Sequence, residues 1–296
     1  MTSTGRPRAR AGSGRYALLA ILAFLGVAAG PAGSGSDSLD AVGMSSGAAS
    51  AGRTPADTLP AVDPGSESAV ARVPWRIGEY FQFSVSWSGI NAGSALMQVQ
   101  NWQWVDGHRT WRIISKTESN SFVSKFYKVR DRVETSIDAE SLYTRRFEKH
   151  LREGAYKHDS IVRFDQEERK ARYDDGIVLD VPPRVHDVLS AFYYVRTQPL
   201  PDGGTLSVPA HDNRKSYDLE IRVIRRERVE VPAGKFPCVV VEPILKSEGI
   251  FKSKGQILVW LTDDERRLPV KVTSKVPIGS ISISLTEYRL AFERKS

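Results

Sequence analysis

Two stretches of strict alternation constrain this chain more than any other feature. In "GEYFQFSVSWSGINAGSALMQVQ" (Gly78 to Gln100), Phe81, Phe83, Val85 and Trp87 alternate with Gln82, Ser84 and Ser86. Near the C-terminus Ile281, Ile283 and Leu285 alternate with Ser280, Ser282 and Ser284. A period of two puts one face of an extended chain in an apolar core and the other in water, so both stretches are half-buried β-strands. Within "SGINAG", Gly89, Asn91 and Gly93 are read as turn residues that tolerate positive φ where the chain reverses.

Further strand signals follow between turn residues. They are "RTWRIISKTES", "FYKVRDRVETSID", "LYTRRFEKHL" joined to "KHDSIVRFD" through Glu153 and Gly154, and "KARYDDGIVLDV" with Asp175 and Gly176 as its turn. "SYDLEIRVI", "RVEVPAGKFPCVVVEP", "KGQILVWLTDDERRLPVKVTSKV" and "IGSISISLTEYRLAF" complete the set. Roughly a dozen short strands in hairpin order predict a mainly β fold, a curled antiparallel barrel-like sheet that hides its edges. One segment breaks the rhythm. "PPRVHDVLSAFYYVR" (Pro182 to Arg196) carries Val185, Val188, Leu189, Phe192 and Val195 at helical spacing behind two prolines that suit a helix start. Being apolar nearly all round, it predicts one buried helix against the concave face, with its tyrosine hydroxyls reaching water or a backbone partner.

The N-terminus points to export. Arg6, Arg8, Arg10 and Arg15 precede an apolar run from Tyr16 to about Ala29, which predicts a signal peptide over residues 1–30, with an uncleaved inner-membrane anchor as the alternative. Residues 31–72 have no aromatic residue and no apolar periodicity, and predict a flexible Gly/Ser/Ala/Pro linker. Residues 73–296 hold all six tryptophans and form the predicted β-domain. Cys238 is the lone cysteine, so no internal disulfide can form. The net charge of +7 falls to +3 without the four leader arginines, 38 basic against 35 acidic residues. Nucleic acid is therefore not an expected partner, and a periplasmic or secreted location is.

Candidate sites are few. His186, Asp187 and Ser190 hold hydrolase residue types, but Ser190 has no G-x-S-x-G around it, and Asp187 or His186 is expected to cap the helix instead; Ser190→Ala should then be nearly silent. The five histidines lack metal-ligand spacing, so no metal site is expected, and the acids at Asp263–Glu265 and Asp174–Asp175 read as solvated turns. Arg222, Arg225, Arg226 and Arg228 are placed at a hairpin end where they could contact an anionic lipid surface, diluted by Glu227 and Glu230. Phe83, Trp87, Phe192, Tyr193 and Ile283 are expected on the concave face, filling it or lining a pocket for an apolar ligand.

The segments "GEYFQFSVSWSGINAGSALMQV", "HDVLSAFYYVR", "VEVPAGKFPCVVVEP" and "GQILVWLTDDERRLPVKV" resemble the bacterial exported proteins grouped as domain of unknown function 3108. The resemblance implies an envelope location and a β-rich fold. It supplies no catalytic residue and no cofactor. "VWLTDDERRLPVKV" is similar, at the level of fold, to the closing hairpin of the curled sheets of periplasmic lipoprotein carriers, whose concavity holds acyl chains. The combined expectation is a non-catalytic envelope protein that binds an apolar ligand or another envelope protein, with possible membrane-surface association; an envelope-polymer or ester hydrolase is the alternative.

Overall fold

The structure, a computed structural model, describes residues 71–245, 256–275 and 279–290. The predicted leader and all but the last two residues of the predicted linker lie outside them.

Eight strands, β1 (Tyr80–Trp87), β2 (Ile90–Val105), β3 (His108–Ser119), β4 (Arg130–Asp138), β5 (Thr144–Glu153), β6 (Tyr156–Asp165), β7 (Lys170–Tyr173) and β8 (Val178–Asp180), precede the helix α1 (Val188–Val195). Six more follow: β9 (Thr205–Asp212), β10 (Lys215–Val231), β11 (Gly234–Leu245), β12 (Ile257–Thr262), β13 (Pro269–Lys275) and β14 (Ser280–Arg289). They form one antiparallel sheet in the order β8-β7-β6-β5-β4-β3-β2-β1-β14-β13-β12-β11-β10-β9. The two alternating stretches that open and close the domain are neighbours in it. Phe83 faces Leu285, Val85 faces Ile283 and Trp87 faces Ile281, so their apolar faces form one inward stripe.

The β1–β2 turn is the two-residue loop Ser88–Gly89, with φ of 48° and 83°. Two left-handed residues suit the twist of a tight hairpin. Asn91 and Gly93, read from sequence as part of this turn, lie instead within β2. Gly93 is there for a different reason: a Cβ on it would come 2.1 Å from the Glu118 carbonyl oxygen of β3, so the two strands approach too closely for any side chain.

The sheet's end strands, β8 and β9, do not pair with each other. The chain just before α1 bridges the gap. Thr144 N donates to Val185 O (3.4 Å), His186 N to Pro209 O (2.9 Å) and His211 N to His186 O (2.8 Å), tying the start of β5 to β9. Side chains complete the seam. Lys149 Nζ on β5 donates to Asp212 Oδ1 at 2.6 Å. His211, on the other face of β9, has its Nε2 2.8 Å from the Tyr173 hydroxyl and packs edge-on against Phe164, ring centroids 5.8 Å apart. The sheet is thus curled but not closed, its gap bridged by the chain before α1 and by these side-chain contacts from β5, β6 and β7 to β9.

Two expectations need correction. The helix spans Val188–Val195 only, capped by Asp187, and Pro182 and Pro183 lie ahead of it, Pro183 with Arg184 in a separate turn, rather than in its first turn. β10 is one 17-residue strand with a bulge between Val223 and Arg225, so Arg222, Arg225, Arg226 and Arg228 lie along a strand and not at a hairpin end. The bulge breaks the alternation, which is why the stretch reads as two strands.

Candidate functional site

The interior of the rolled sheet is the candidate site. The connections after β1, β3, β5 and β9 lie at one end, with Trp87 at the mouth; α1 fills the other end. Among the described residues no helix is long and apolar enough to cross a membrane.

At the helix end the polar residues of "HDVLS" form a sealed network. Asp187 Oδ1 accepts from Leu189 N (2.8 Å) and Ser190 N (2.9 Å), which caps the helix. Its Oδ2 accepts from Thr135 Oγ1 (2.6 Å) on β4 and Thr144 Oγ1 (2.7 Å) on β5. Ser190 Oγ lies 2.6 Å from Thr144 Oγ1 and 3.1 Å from His186 Nδ1. The Ser190 hydroxyl is also 3.2 Å from Asp187 O, and Asp187 N donates to Thr144 Oγ1 (2.8 Å). The Asp187 carboxylate is taken up by two threonine hydroxyls and two helix N–H groups, and orients no imidazole. Asp187 and Ser190 are fully buried and His186 nearly so. Burial alone pushes the His186 imidazole down to about 3, so it stays neutral at physiological pH. The three residues hold the helix to the sheet.

The helix's last turn is pinned by an ion pair. Arg196 donates from Nη1 and Nη2 to Glu79 Oε1 (2.8 Å) and Oε2 (2.9 Å), and from Nη2 to Arg266 O (3.1 Å). Its guanidinium lies 5.0–5.6 Å from the ring centroids of Tyr193, Phe81 and Trp75. A fork-to-fork pair within an aromatic cage is how a charge is kept in a core. Tyr193 packs edge-on against Trp75 at 5.1 Å, and its hydroxyl finds no protein partner among the described residues.

The other proposed apolar contacts are placed as follows. Phe83, Phe192 and Ile283 are buried with Tyr193 in the continuous core, while Trp87 is 43% exposed. Facing inward nearer the Trp87 end is a polar group that sequence reading missed: Ser115 and Thr117 on β3, Asp131 on β4 and Glu153 on β5, all buried. Asp131 Oδ1 accepts from Arg152 N at 2.7 Å. Burial pushes the Asp131 carboxyl up to about 6 and, with the charge of Asp131 beside it, the Glu153 carboxyl up to about 7. Asp131 Oδ2 and Glu153 Oε1 have no hydrogen-bond partner among the described residues. No single motif announces this pair; 22 residues separate its members, and only the β4–β5 register joins them.

The arginines of β10 are exposed but mostly neutralised. Arg222 meets Glu220 at 2.5 Å, Arg225 meets Glu227 at 2.9 Å, and Arg226 bridges Asp202 and Asp263. Among the described residues no cluster of His, Cys, Asp and Glu could hold a metal ion. On the outward face a depression of about 480 Å³ runs over Ser84, Gly93, Ser94 and Thr286.

Among solved structures, the chain is similar to a β-barrel-like protein of DUF1849 from Brucella abortus (9% identity, 73% of this chain and 99% of that one, TM-score 0.49). It is also similar to a Bacteroides fragilis protein with a YmcC-like fold (11% identity, 75% and 100% covered, TM-score 0.35) and to a DUF1089 protein from Pseudomonas aeruginosa (13% identity, 62% and 90% covered, TM-score 0.35). No curated protein matches the chain. The family model "Protein of unknown function (DUF3108)" matches residues 82–286, from β1 into β14, and the chain belongs to this family.

Proposed function

We propose that this protein is a non-catalytic, exported component of the bacterial cell envelope that takes an apolar ligand, such as a lipid acyl chain, into the Trp87 end of its rolled sheet. The observation that carries this reading is the inward stripe Phe81–Phe83–Val85–Trp87. It is fully apolar, runs from the core outward, and ends in a tryptophan 43% exposed at the mouth. An apolar surface that continues from a packed interior to an accessible aromatic is the way in for an apolar guest. The basic and apolar leader supports export to the envelope. The alternative, a hydrolase, needs an accessible nucleophile, and Ser190 is fully buried beneath Thr144 and His186.

The test is mass spectrometry of the protein purified from its native host under non-denaturing conditions. A stoichiometric copurifying lipid is expected. Protein that is free of lipid and takes up none from added fatty acid would refute the reading.

A further inference from the structure

Large apolar side chains stand exposed at eight described positions, and four of them lie at the Trp87 end: Trp87 (43%), Ile90 (64%), Phe122 (62%) and Phe126 (80%). Phe122 and Phe126 belong to the β3–β4 connection, residues 120–129, whose centre is a single 3-10 turn, Val123–Lys125. Their rings sit edge-on, centroids 5.8 Å apart. This loop is ordered by its own hydrogen bonds. Asn120 Nδ2 donates to Asn91 O (2.8 Å) and Asn120 Oδ1 accepts from Val123 N (2.9 Å), which fixes the loop to the β1–β2 hairpin. The Ser119 and Ser124 hydroxyls pair at 2.7 Å, and Tyr127 N donates to Val123 O at 2.8 Å. The phenyl rings are therefore held out in water by a built loop.

Within the loop itself the charge has one sign. Lys125, Lys128 and Arg130 are exposed, the segment from Asn120 to Arg130 contains no acid, and none of the three cations is within ion-pair distance of an acid among the described residues. The acid opposite Arg130 in the strand register is Glu118. On β10, by contrast, three of four arginines are matched by acids.

We infer that the β3–β4 loop, with Trp87 and Ile90 beside it, is a membrane-docking surface whose partner is the headgroup layer of an anionic bilayer, the rings of Phe122 and Phe126 entering the interface and Lys125, Lys128 and Arg130 meeting lipid phosphates. Aromatic side chains flanked by cations are the composition that interfacial insertion selects. A convex loop of this size offers far less than the ~800 Å² per partner that a stable protein interface needs, whereas two rings need only the depth of the headgroup layer. This surface lies outside the interior, so it does not depend on whether the interior takes a ligand. It moves the expected anionic-lipid contact from the β10 arginines to a loop that sequence reading passed over.

The test is cosedimentation of the full chain with phosphatidylcholine vesicles with and without phosphatidylglycerol. Using the full chain throughout makes any contribution of the leader common to all samples. The wild type is expected to favour the anionic vesicles and to lose that preference at high salt. Phe122→Ser/Phe126→Ser and, separately, Lys125→Gln/Lys128→Gln/Arg130→Gln should each weaken partitioning at least about tenfold at an unchanged melting temperature. Arg222→Gln/Arg225→Gln/Arg228→Gln should partition as the wild type does. Loop variants that sediment as well as wild type, or a wild type indifferent to lipid charge, would overturn the inference. Retention of copurified lipid by Phe122→Ser/Phe126→Ser would separate this surface from the interior reading.

Discussion

Asp187 carries more of the structure than any other single side chain in the site. Its carboxylate joins the first turn of α1 to β4 and β5, so Asp187→Ala removes a helix cap and leaves Thr135 and Thr144 without their acceptor; a loss of about 3 kcal/mol is expected in chemical denaturation. Ser190→Ala, nearly silent by the bare sequence, is expected instead to cost about 1 kcal/mol because the buried hydroxyl bonds both Thr144 and His186, with no change in any ester hydrolysis. The carboxyl pair gives a pH signature. Asp131 and Glu153 have folded-state affinities for protons raised to about 6 and about 7, above the ordinary carboxylate range. A raised acid favours the folded state below its unfolded value and loses that contribution as pH climbs through its folded value. Their contribution should thus be full near pH 4 and gone by about pH 8, opposing the gain from His186 and His211, whose burial holds them down to about 3 and about 4. Melting temperature against pH should therefore fall less steeply between pH 6 and 8 in Glu153→Gln than in wild type, and parallel curves would contradict a Glu153 carboxyl raised by its burial beside Asp131. Nothing in local sequence marks the pair, since it exists only through the register of two strands.

The elements themselves were legible to different degrees, for physical reasons. β1 and β14 are plain in sequence because each buries one face against the core and wets the other. β10 is not, because its bulge at Val223–Arg225 shifts the alternation by one residue and its exposed face is a run of arginine and glutamate. Helical spacing locates α1, but its start is set by Asp187 and by the main-chain bridge of His186 to β9, a long-range contact that keeps Val185 and His186 out of the helix. The helix's burial makes a firm prediction. Phe192→Ala should cost about 3 to 5 kcal/mol through the cavity it leaves, read as a sharp fall in melting temperature. Glu79→Ala should cost a similar amount, about 3 to 5 kcal/mol, by stranding the fully buried Arg196 guanidinium. A small effect in either would mean that the helix end of the sheet is not sealed as described.

For the whole molecule, hairpin succession alone implies an up-and-down sheet, and the return of β14 to β1 is foreshadowed by their matching Ser-alternating faces. The closing seam is not, because Lys149–Asp212, Tyr173–His211 and the main-chain bridge at Val185 and His186 join residues 23 to 63 positions apart, and no periodicity encodes such distances. Of the proposed apolar contacts, Phe83, Phe192, Tyr193 and Ile283 lie in the core, which leaves Trp87 as the accessible reporter of whatever enters. The most direct measurement is therefore titration of the protein's tryptophan emission with a fatty acid below its aggregation concentration, in wild type and in Trp87→Ala. The account predicts a saturable shift in wild type that is largely lost in Trp87→Ala at unchanged melting temperature. A flat titration in wild type, or an equal shift in both proteins, would contradict entry of an apolar ligand at the Trp87 end.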